Sequence, residues 1–148
     1  MIFNIIKDDL FNYACKIEDK SYGPDKRIPV HCISADFAMS GGIAVPMAEK
    51  FDLRDSLKFF YDAKASDCIF TNNVMNLITK DKVWQTPTYA SVYKSLEICK
   101  RICISEDVRY LVMPRIACGI DGLNWSIVKS FIQEIFNDTD IDILVCEQ

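Results

Sequence analysis

The sequence predicts a three-layer α/β/α domain with a central mixed sheet. Short apolar runs rich in strand-forming residues alternate along the chain with segments whose apolar residues recur at helical spacing. One pair of apolar runs near the middle is separated by Asn72-Asn73, a turn-prone pair that favours a hairpin. With 148 residues the chain is long enough for one domain and short for two, so we expect a single domain over residues 1–148.

Six apolar runs predict the strands of this sheet. The run at Ile28–Ser34 is nearly continuous in apolar character, which is typical of a strand covered on both faces. Charged residues and the Gly23-Pro24 pair predict a surface loop over residues 15–27. In chain order the runs are "IFNII" (Ile2–Ile6), "IPVHCIS" (Ile28–Ser34), "DCIF", "VMNLIT", "YLVM" (Tyr110–Met113) and "DILVC".

Four segments predict helices. The first spans about Gly42 to Phe51, with Pro46 tolerated near its first turn, and "LRDSLKFFYDA" predicts a second short helix. Thr86-Pro87 predicts the N-cap and the first residue of the third helix. The third and fourth helices each show one apolar face: Tyr89, Val92, Tyr93, Leu96, Cys99 and Cys103 in the third, and Val128, Phe131, Ile132, Ile135 and Phe136 in the fourth.

Composition and charge argue against several classes of function. Hydrophobic residues make up 50% of the chain and charged residues 26%, which is ordinary for a globular protein. The net charge of -4 argues against a broad nucleic-acid or anionic-membrane surface, but a small anionic ligand needs only local N–H groups. No apolar stretch reaches the ~18 residues of a membrane span, and the N-terminus lacks the pattern of a signal peptide.

The seven cysteines are scattered, never spaced C-x-x-C, and accompany a single histidine, His31. This pattern favours neither a zinc site nor a disulfide framework, so we expect no metal and no cofactor. Most of the cysteines lie among Ile, Val and Phe and are expected to be small core residues. We therefore expect a reducing intracellular compartment, the cytoplasm, with the nucleus as the alternative.

Two glycine loops occupy similar positions in the chain. "SGGIA", Ser40–Ala44, and "ACGIDGLN", Ala117–Asn124, each follow a predicted buried strand and precede a predicted helix. Ligands of open α/β sheets bind outside the carboxyl ends of the strands, where glycines allow the backbone to approach a phosphate. Two such loops suit a ligand with two phosphates. Neither loop matches a dinucleotide or Walker pattern, so on glycines alone ordinary turns are the stronger interpretation.

The motifs "HCIS-x-D", "GGIA", "LITK", "PTY" and "PRI-x-CG-x-D" occur in an order and spacing that resemble the macrodomain family. The resemblance runs from about Lys7 to Cys146 and is strongest to the subclass typified by terminal ADP-ribose protein glycohydrolase. It implies a macrodomain whose two glycine loops hold the diphosphate of ADP-ribose. The implied diphosphate contacts are Ser40, Gly41, Gly42, Ile43 and Ala44 in the first loop and Ile116, Ala117, Cys118, Gly119 and Ile120 in the second.

The resemblance also implies roles for two charged residues. Asp9 would accept a hydrogen bond from the adenine amino group; its alternatives are a helix N-cap or a solvated charge, and Asp8 competes for the role. Lys80, at the end of "NLIT", would attack the anomeric carbon of the distal ribose and form a covalent lysyl adduct. A solvated strand end is the alternative for Lys80, and Lys82 serves as the comparison for a plain surface lysine.

The second glycine loop supplies the other implied catalytic residue. Asp121 would be the acid/base that resolves the lysyl adduct, because cleavage at an anomeric carbon develops positive charge that a carboxylate stabilises. An Asx turn is its structural alternative, since Asp-Gly favours turns. Ser34 and Asp36 stand where other macrodomains have "N-A-A-N" and are expected near the distal ribose.

Several other residues are expected to be structural. Arg115 is expected to form a salt bridge within the fold, and Cys118 to be packed and not nucleophilic. His31 is expected to be a buried strand residue. Trp125 is expected in the core at a helix start, while Trp84 has no assignment.

The resulting hypothesis is an ADP-ribosyl hydrolase that removes mono-ADP-ribose from acidic side chains or from small esters such as O-acetyl-ADP-ribose. Its expected partner is ADP-ribose or an ADP-ribosylated protein, and the expected state is a monomer. The alternatives are a non-catalytic ADP-ribose reader, or a hydrolase of nucleic-acid-linked ADP-ribose or ADP-ribose 1''-phosphate. The Lys80 and Asp121 pair favours the enzyme, because a reader has no need of it.

Overall fold

The computed structural model describes residues 1–148, with every side chain except that of Phe60. Within this described chain six strands form one sheet in the order β1-β6-β5-β2-β4-β3. The strands are β1 (Ile2–Lys7), β2 (Ile28–Ser34), β3 (Cys68–Thr71), β4 (Val74–Lys80), β5 (Tyr110–Met113) and β6 (Asp142–Glu147).

The sheet is mixed, as the sequence predicted. The pairs β1–β6, β5–β6, β2–β5 and β2–β4 are parallel, while β3 and β4 form the antiparallel hairpin around Asn72-Asn73. Both asparagines adopt positive φ, the conformation that a tight two-residue hairpin turn requires. Because five strands run in the same direction, their carboxyl ends meet at a single edge of the sheet.

Helices pack against this sheet in two pairs, and the fold is the expected three-layer α/β/α arrangement. The first pair is α1 (Ala44–Lys50) and α2 (Leu53–Phe60), and the second is α3 (Tyr89–Ser105) and α4 (Trp125–Phe136). Trp125 is the first residue of α4, as expected, but it is half-buried and packs against the core instead of lying within it. The sequence predicted that α1 starts at about Gly42, two residues before its observed start at Ala44.

The predicted start of α3 is wrong. Thr88, not Thr86, is the N-cap, so Pro87 precedes the helix instead of being its first residue. The Thr88 side chain accepts a hydrogen bond from the backbone N–H of Ser91, and the Ser91 hydroxyl accepts one from the backbone N–H of Thr88. This reciprocal capping box satisfies two helix-end donors, which a cap at Thr86 would not do.

Two buried serines of α3 fix the end of β4. The Ser91 hydroxyl donates to the carbonyl of Thr79 at 2.6 Å, and the Ser95 hydroxyl donates to that of Ile78 at 3.0 Å. These bonds hold the two residues of β4 that precede Lys80 against α3. The carboxyl end of β4 is therefore anchored by buried hydrogen bonds as well as by apolar packing.

The 15–27 segment contains no helix or strand, as predicted, and is held by the β3–β4 turn. The Asn73 amide donates to the carbonyls of Lys16, Ile17 and Asp19. At the end of the segment Arg27 is buried and forms an ion pair with Asp142 at 2.9 Å.

All seven cysteines are free thiols. Among the described residues, none of the helices combines the length and the apolar character that a bilayer crossing requires.

Candidate active site

Three of the residues singled out in the sequence meet at the carboxyl edge of the sheet. Ser34 ends β2 and is the register partner of Lys80, which ends β4. A register shift between Ile33 and Ser34 occurs at this point, and the backbone N–H of Ala35 donates to the carbonyl of Lys80 at 2.8 Å. Asp121 reaches the same place from the loop after β5, the strand on the other side of β2.

Lys80 and Asp121 form a direct ion pair across 41 residues of sequence. The Lys80 Nζ lies 2.8 Å from Oδ1 of Asp121 and donates a hydrogen bond to it. The two side chains are only 13% and 17% exposed, so water screens the pair far less than it screens a surface salt bridge. Lys82, by contrast, is exposed. The solvated strand end is thus the wrong interpretation for Lys80.

A cavity of about 480 Å³ opens beside this pair. Ser34, Lys80 and Asp121 line it together with parts of both glycine loops, so the loops and the ion pair belong to one site. The predicted residues found in its wall are Ser34, Ser40, Gly41, Gly42, Ile43, Ala44, Lys80, Ile116, Ala117, Gly119, Ile120 and Asp121.

A second cavity of about 890 Å³ adjoins the first and contains Asp9. Gly42, Ile43 and Gly119 line both cavities, so the two glycine loops form the waist between them. Cys118, the remaining predicted loop contact, lines this second cavity. The site is therefore a bipartite groove with Asp9 at one end, Lys80 and Asp121 at the other, and glycine backbone between.

Asp9, and not Asp8, faces the groove. Asp9 is also the N-cap of the 3-10 turn Leu10–Asn12, where its Oδ1 accepts from the backbone N–H of Phe11 at 2.9 Å. Asp8 is occupied by local hydrogen bonds from Tyr13, Asn12 and the Asp9 backbone, which hold the pKa of its carboxyl below the usual value. The N-cap interpretation of Asp9 is thus correct in part, and it is compatible with a second hydrogen bond at the cavity.

Backbone conformation shapes both glycine loops. Gly42 adopts φ +59, and Ala117 adopts φ +61, a left-handed conformation that costs a non-glycine residue roughly 1–2 kcal/mol. The Ile120 side chain, 80% exposed, places its Cδ1 3.2 Å from where a Cβ on Gly42 would lie. The second loop therefore reaches across the waist and touches the first.

The first loop is held by a residue that the sequence analysis missed. The Arg54 guanidinium on α2 donates to the carbonyls of Ala38 and Met39 at 2.7 and 2.8 Å. Met39 itself adopts positive φ and lines the Lys80 cavity. An arginine in the first turn of a surface helix gives no sequence signal for this role.

Further wall residues were also missed, Phe11 and Val83 among them. Phe11 lines the Asp9 cavity, where the Lys50 Nζ lies 5.0 Å from the centre of its ring. Val83 lines the Lys80 cavity from the turn after β4. Neither residue gives a sequence signal, because an apolar wall residue has the same sequence pattern as a core residue.

Arg115 and Cys118 make the structural contacts expected of them, and both also line the groove. Arg115 forms an ion pair with Glu147 at 2.6 Å, and its guanidinium lies over the Trp125 ring. Burial raises the pKa of the Cys118 thiol, which keeps it in the less nucleophilic protonated form. Within the described residues no group of three or more His, Cys, Asp or Glu side chains is placed to hold a metal ion.

Comparisons with solved structures identify the fold. The macrodomain of Thermus aquaticus DarG superposes with a TM-score of 0.80 at 16% identity, covering 99% of both chains. Thermosipho africanus DarTG, solved in complex with ADP-ribose, superposes with a TM-score of 0.76 at 15% identity and covers 99% of this chain and 42% of that one. At such low identity these likenesses show the fold alone, and that fold is a macrodomain.

Sequence comparison places the chain more closely. No family model matches it. The ADP-ribose glycohydrolase OARD1 of Bos taurus is 38% identical over 143 residues, which cover 95% of this chain and 88% of the relative. The chain therefore belongs to the macrodomain family, in the group that contains this glycohydrolase, and the resemblance found in the sequence is confirmed.

Proposed function

We propose that the protein is an ADP-ribosyl hydrolase that releases mono-ADP-ribose from acidic side chains or from small esters such as O-acetyl-ADP-ribose. The single observation that carries the proposal is the Lys80–Asp121 pair, shielded from water and lining the cavity. An amine and a carboxylate in contact are the components of nucleophilic catalysis with proton transfer. The glycohydrolase name of the bovine relative supports the same activity.

The bipartite groove suggests how ADP-ribose lies. The carboxylate of Asp9 accepts a hydrogen bond from the adenine amino group, and the glycine loops at the waist take the diphosphate on backbone N–H groups. The distal ribose then enters the cavity of Lys80 and Asp121. This placement uses each cavity for one end of the ligand and puts the anomeric carbon beside the amine.

The chemistry follows from this placement. The Lys80 ammonium gives a proton to the Asp121 carboxylate, and the neutral amine attacks the anomeric carbon while the acceptor carboxylate departs with the bonding electrons and takes that proton from Asp121. The adduct opens to a Schiff base between Lys80 and the sugar. The Asp121 carboxylate then takes a proton from water, whose hydroxide adds to the Schiff-base carbon to form a carbinolamine. Asp121 returns this proton to the Lys80 nitrogen, and the C–N bond breaks as the hydroxyl proton passes to the departing amine, which leaves ADP-ribose and the Lys80 ammonium.

The test compares a protein mono-ADP-ribosylated on glutamate with one modified on serine. We expect release of ADP-ribose from the glutamate ester, and loss of that release in Lys80→Ala with ADP-ribose affinity kept within about tenfold. Lys82→Ala is the matched control and should stay active, because Lys82 is exposed and outside both cavities. Tight ADP-ribose binding by the unmodified protein with no release from either substrate would identify a reader instead.

A further inference from the structure

The turn after β4, residues 81–85, is held by several hydrogen bonds although most of its residues are exposed. The Gln85 side-chain oxygen accepts from the backbone N–H groups of Asp81 and Lys82. On one flank the Asp81 carboxylate accepts from the backbone N–H of Ala65 at 2.8 Å, and on the other Asp36 accepts from that of Val83 at 3.0 Å. A turn tied at both flanks presents its side chains in a fixed arrangement and loses little entropy when it binds a partner.

Two neighbouring side chains of this turn, Val83 and Trp84, are apolar. Val83 lines the Lys80 cavity, and Trp84, the next residue, is 78% exposed. An exposed indole on an ordered surface turn is unusual, because tryptophan carries a large apolar area that folding normally buries. Packing among the described side chains does not account for one so exposed.

The order of residues along the groove places this turn at the acceptor end. Asp9 lines only the second cavity, Gly42 and Gly119 line both, and Val83 lines only the cavity of Lys80. With the diphosphate at the waist, the adenine side of ADP-ribose lies away from Val83. The group attached to the anomeric carbon therefore lies on the side of Val83 and Trp84.

We propose that Val83 and Trp84 form an acceptor wall that contacts the polypeptide to which ADP-ribose is attached, and that this wall makes polypeptide conjugates better substrates than small esters. The inference rests on the proposed hydrolase function and names the substrate class of the same site. Trp84 would pack on an apolar side chain of the polypeptide close to the modified residue. A small ester such as O-acetyl-ADP-ribose carries only an acetyl group at this end and would not reach the indole.

Charge around the turn favours a polypeptide over a nucleic acid. The one cation of the turn, Lys82, lies near Asp36, and Asp81 adds a further carboxylate at the turn's start. Burial acts to raise the pKa of Asp36, but hydrogen bonds from Ser34, Val83 and Ala38 and the charge of Lys82 together hold it below its ordinary value. A phosphodiester backbone would meet at least two carboxylates here, which opposes binding to a polyanion.

The first test measures kcat and KM of the unmodified protein and Trp84→Ala on three substrates. These are a glutamate-linked mono-ADP-ribosylated polypeptide, a mono-ADP-ribosylated single-stranded oligonucleotide, and O-acetyl-ADP-ribose. Because a buried tryptophan at an interface commonly dominates affinity, we expect Trp84→Ala to raise KM for the polypeptide roughly tenfold with little change in kcat. The small ester should be unaffected.

Two matched variants accompany this measurement. Trp84→Phe keeps an aromatic surface and should recover most of the lost kcat/KM on the polypeptide. Ile104→Ala removes another exposed apolar side chain, one that lies on α3 and outside both cavities, and should leave all three substrates unchanged. Equal losses in Ile104→Ala and Trp84→Ala would mean that general surface apolarity, and not the wall, carries the effect.

The second test uses fluorescence, since Trp84 and Trp125 are the two tryptophans of the chain. In a Trp125→Phe, Lys80→Ala protein the emission comes from Trp84 alone and the substrate is not consumed. The ADP-ribosylated polypeptide should shift this emission to shorter wavelength and protect it from acrylamide quenching. ADP-ribose alone should do neither.

The outcomes separate the two proposals. If the unmodified protein releases ADP-ribose from none of the substrates, the hydrolase function itself fails. If it is active but Trp84→Ala has the same KM and kcat on the polypeptide, the acceptor wall is wrong while the hydrolase function stands. The same conclusion follows if acrylamide quenches the Trp84 emission equally with and without the bound polypeptide. A loss confined to the oligonucleotide would overturn the choice of a polypeptide and identify base stacking instead.

Discussion

The carboxylate of Asp36 accepts a hydrogen bond from the backbone N–H of Val83, which lies 47 residues further along the chain. Its other oxygen accepts from the Ser34 hydroxyl and from the backbone N–H of Ala38. One side chain thus joins the end of β2 to the turn after β4, on either side of Lys80. The sequence placed Asp36 near the distal ribose, and its structural connections suggest a positioning role there.

Replacing Asp36 should disturb the turn after β4 without weakening the binding of ADP-ribose. Asp36→Ala removes both acceptor oxygens, so we expect the Val83 amide to exchange faster and kcat/KM to fall about tenfold, the worth of a hydrogen bond to a charged group. Affinity for ADP-ribose should change little, because Asp36 lines neither cavity. Hydrogen exchange and steady-state kinetics measure the two effects. Asp36→Asn keeps one oxygen and should recover part of both; an unchanged Val83 amide in Asp36→Ala would contradict the positioning role.

The contact between Lys80 and Asp121 predicts that their variants differ in kind. If Lys80 attacks first and Asp121 helps water to resolve the adduct, Asp121→Ala should accumulate ADP-ribose covalently on Lys80. Intact-protein mass spectrometry and the mass of the peptide containing Lys80 detect this adduct. Lys80→Ala should show none, and removing both residues should cost little more rate than removing one, because they act as a unit.

Two results would revise this mechanism. An inactive Asp121→Ala without adduct would mean that the carboxylate is needed before or during attack, which favours direct hydrolysis by water. Full turnover in Asp121→Ala would remove the catalytic assignment and favour the reader. The double variant Lys80→Ala, Asp121→Ala is the control for adducts at other lysines.

The waist of the groove predicts that Gly119 is a cleaner probe of diphosphate binding than Gly42. A Cβ on Gly119 would meet nothing within 4 Å, so Gly119→Val should keep the thermal midpoint of unfolding. Because Gly119 lines both cavities, the valine side chain would occupy space that the diphosphate needs. We expect calorimetry to show ADP-ribose affinity at least about tenfold weaker, a loss of roughly 1.4 kcal/mol. Gly23→Val, equally unobstructed but outside the groove, should bind normally.

Gly42 should respond differently, because its backbone is left-handed and Ile120 lies against it. Gly42→Ala should lower the free energy of unfolding by about 1–2 kcal/mol in addition to any effect on the ligand. A Gly119→Val variant that folds normally and binds ADP-ribose with unchanged affinity would remove the second loop from the diphosphate site.

Much of this architecture could be predicted from local sequence, but the contacts that define the site could not. The strands, the Asn72-Asn73 hairpin and the apolar helix faces are local patterns with a fixed period, and they were correct. The N-cap of α3 was misplaced because Thr86 and Thr88 are both residues that favour an N-cap. The reciprocal hydrogen bonds between Thr88 and Ser91 decide in favour of Thr88. Contacts across the fold, such as Lys80 to Asp121 or Arg54 to the first loop, leave no local pattern at all.

His31 confirms the expectation of a buried strand histidine and adds a pH dependence. Its Nε2 lies 2.6 Å from the side-chain oxygen of Asn76, whose amide nitrogen donates to the carbonyls of Ile69 and Val74. Nε2 therefore carries the hydrogen, and Nδ1 is buried without a hydrogen-bond partner among the described residues. A proton on Nδ1 would place an unpaired charge in the core, so burial lowers the pKa of His31 from 6.5 to about 4, although the bond to Asn76 opposes this.

This lowered pKa predicts that the protein loses stability as the pH falls through the histidine range. The unfolded chain gains a proton near pH 6.5 and the folded chain only near pH 4, so the stabilising effect is complete above about pH 6.5 and lost progressively below it. Between about pH 7.5 and 5.5 we expect a loss of about 1 kcal/mol, or roughly 2–4 °C in the thermal midpoint. Because the chain has a single histidine, no other imidazole contributes. His31→Gln keeps an N–H donor for Asn76 but cannot titrate, so its midpoint should change less over the same range; an equal change in both proteins would show that other groups cause it.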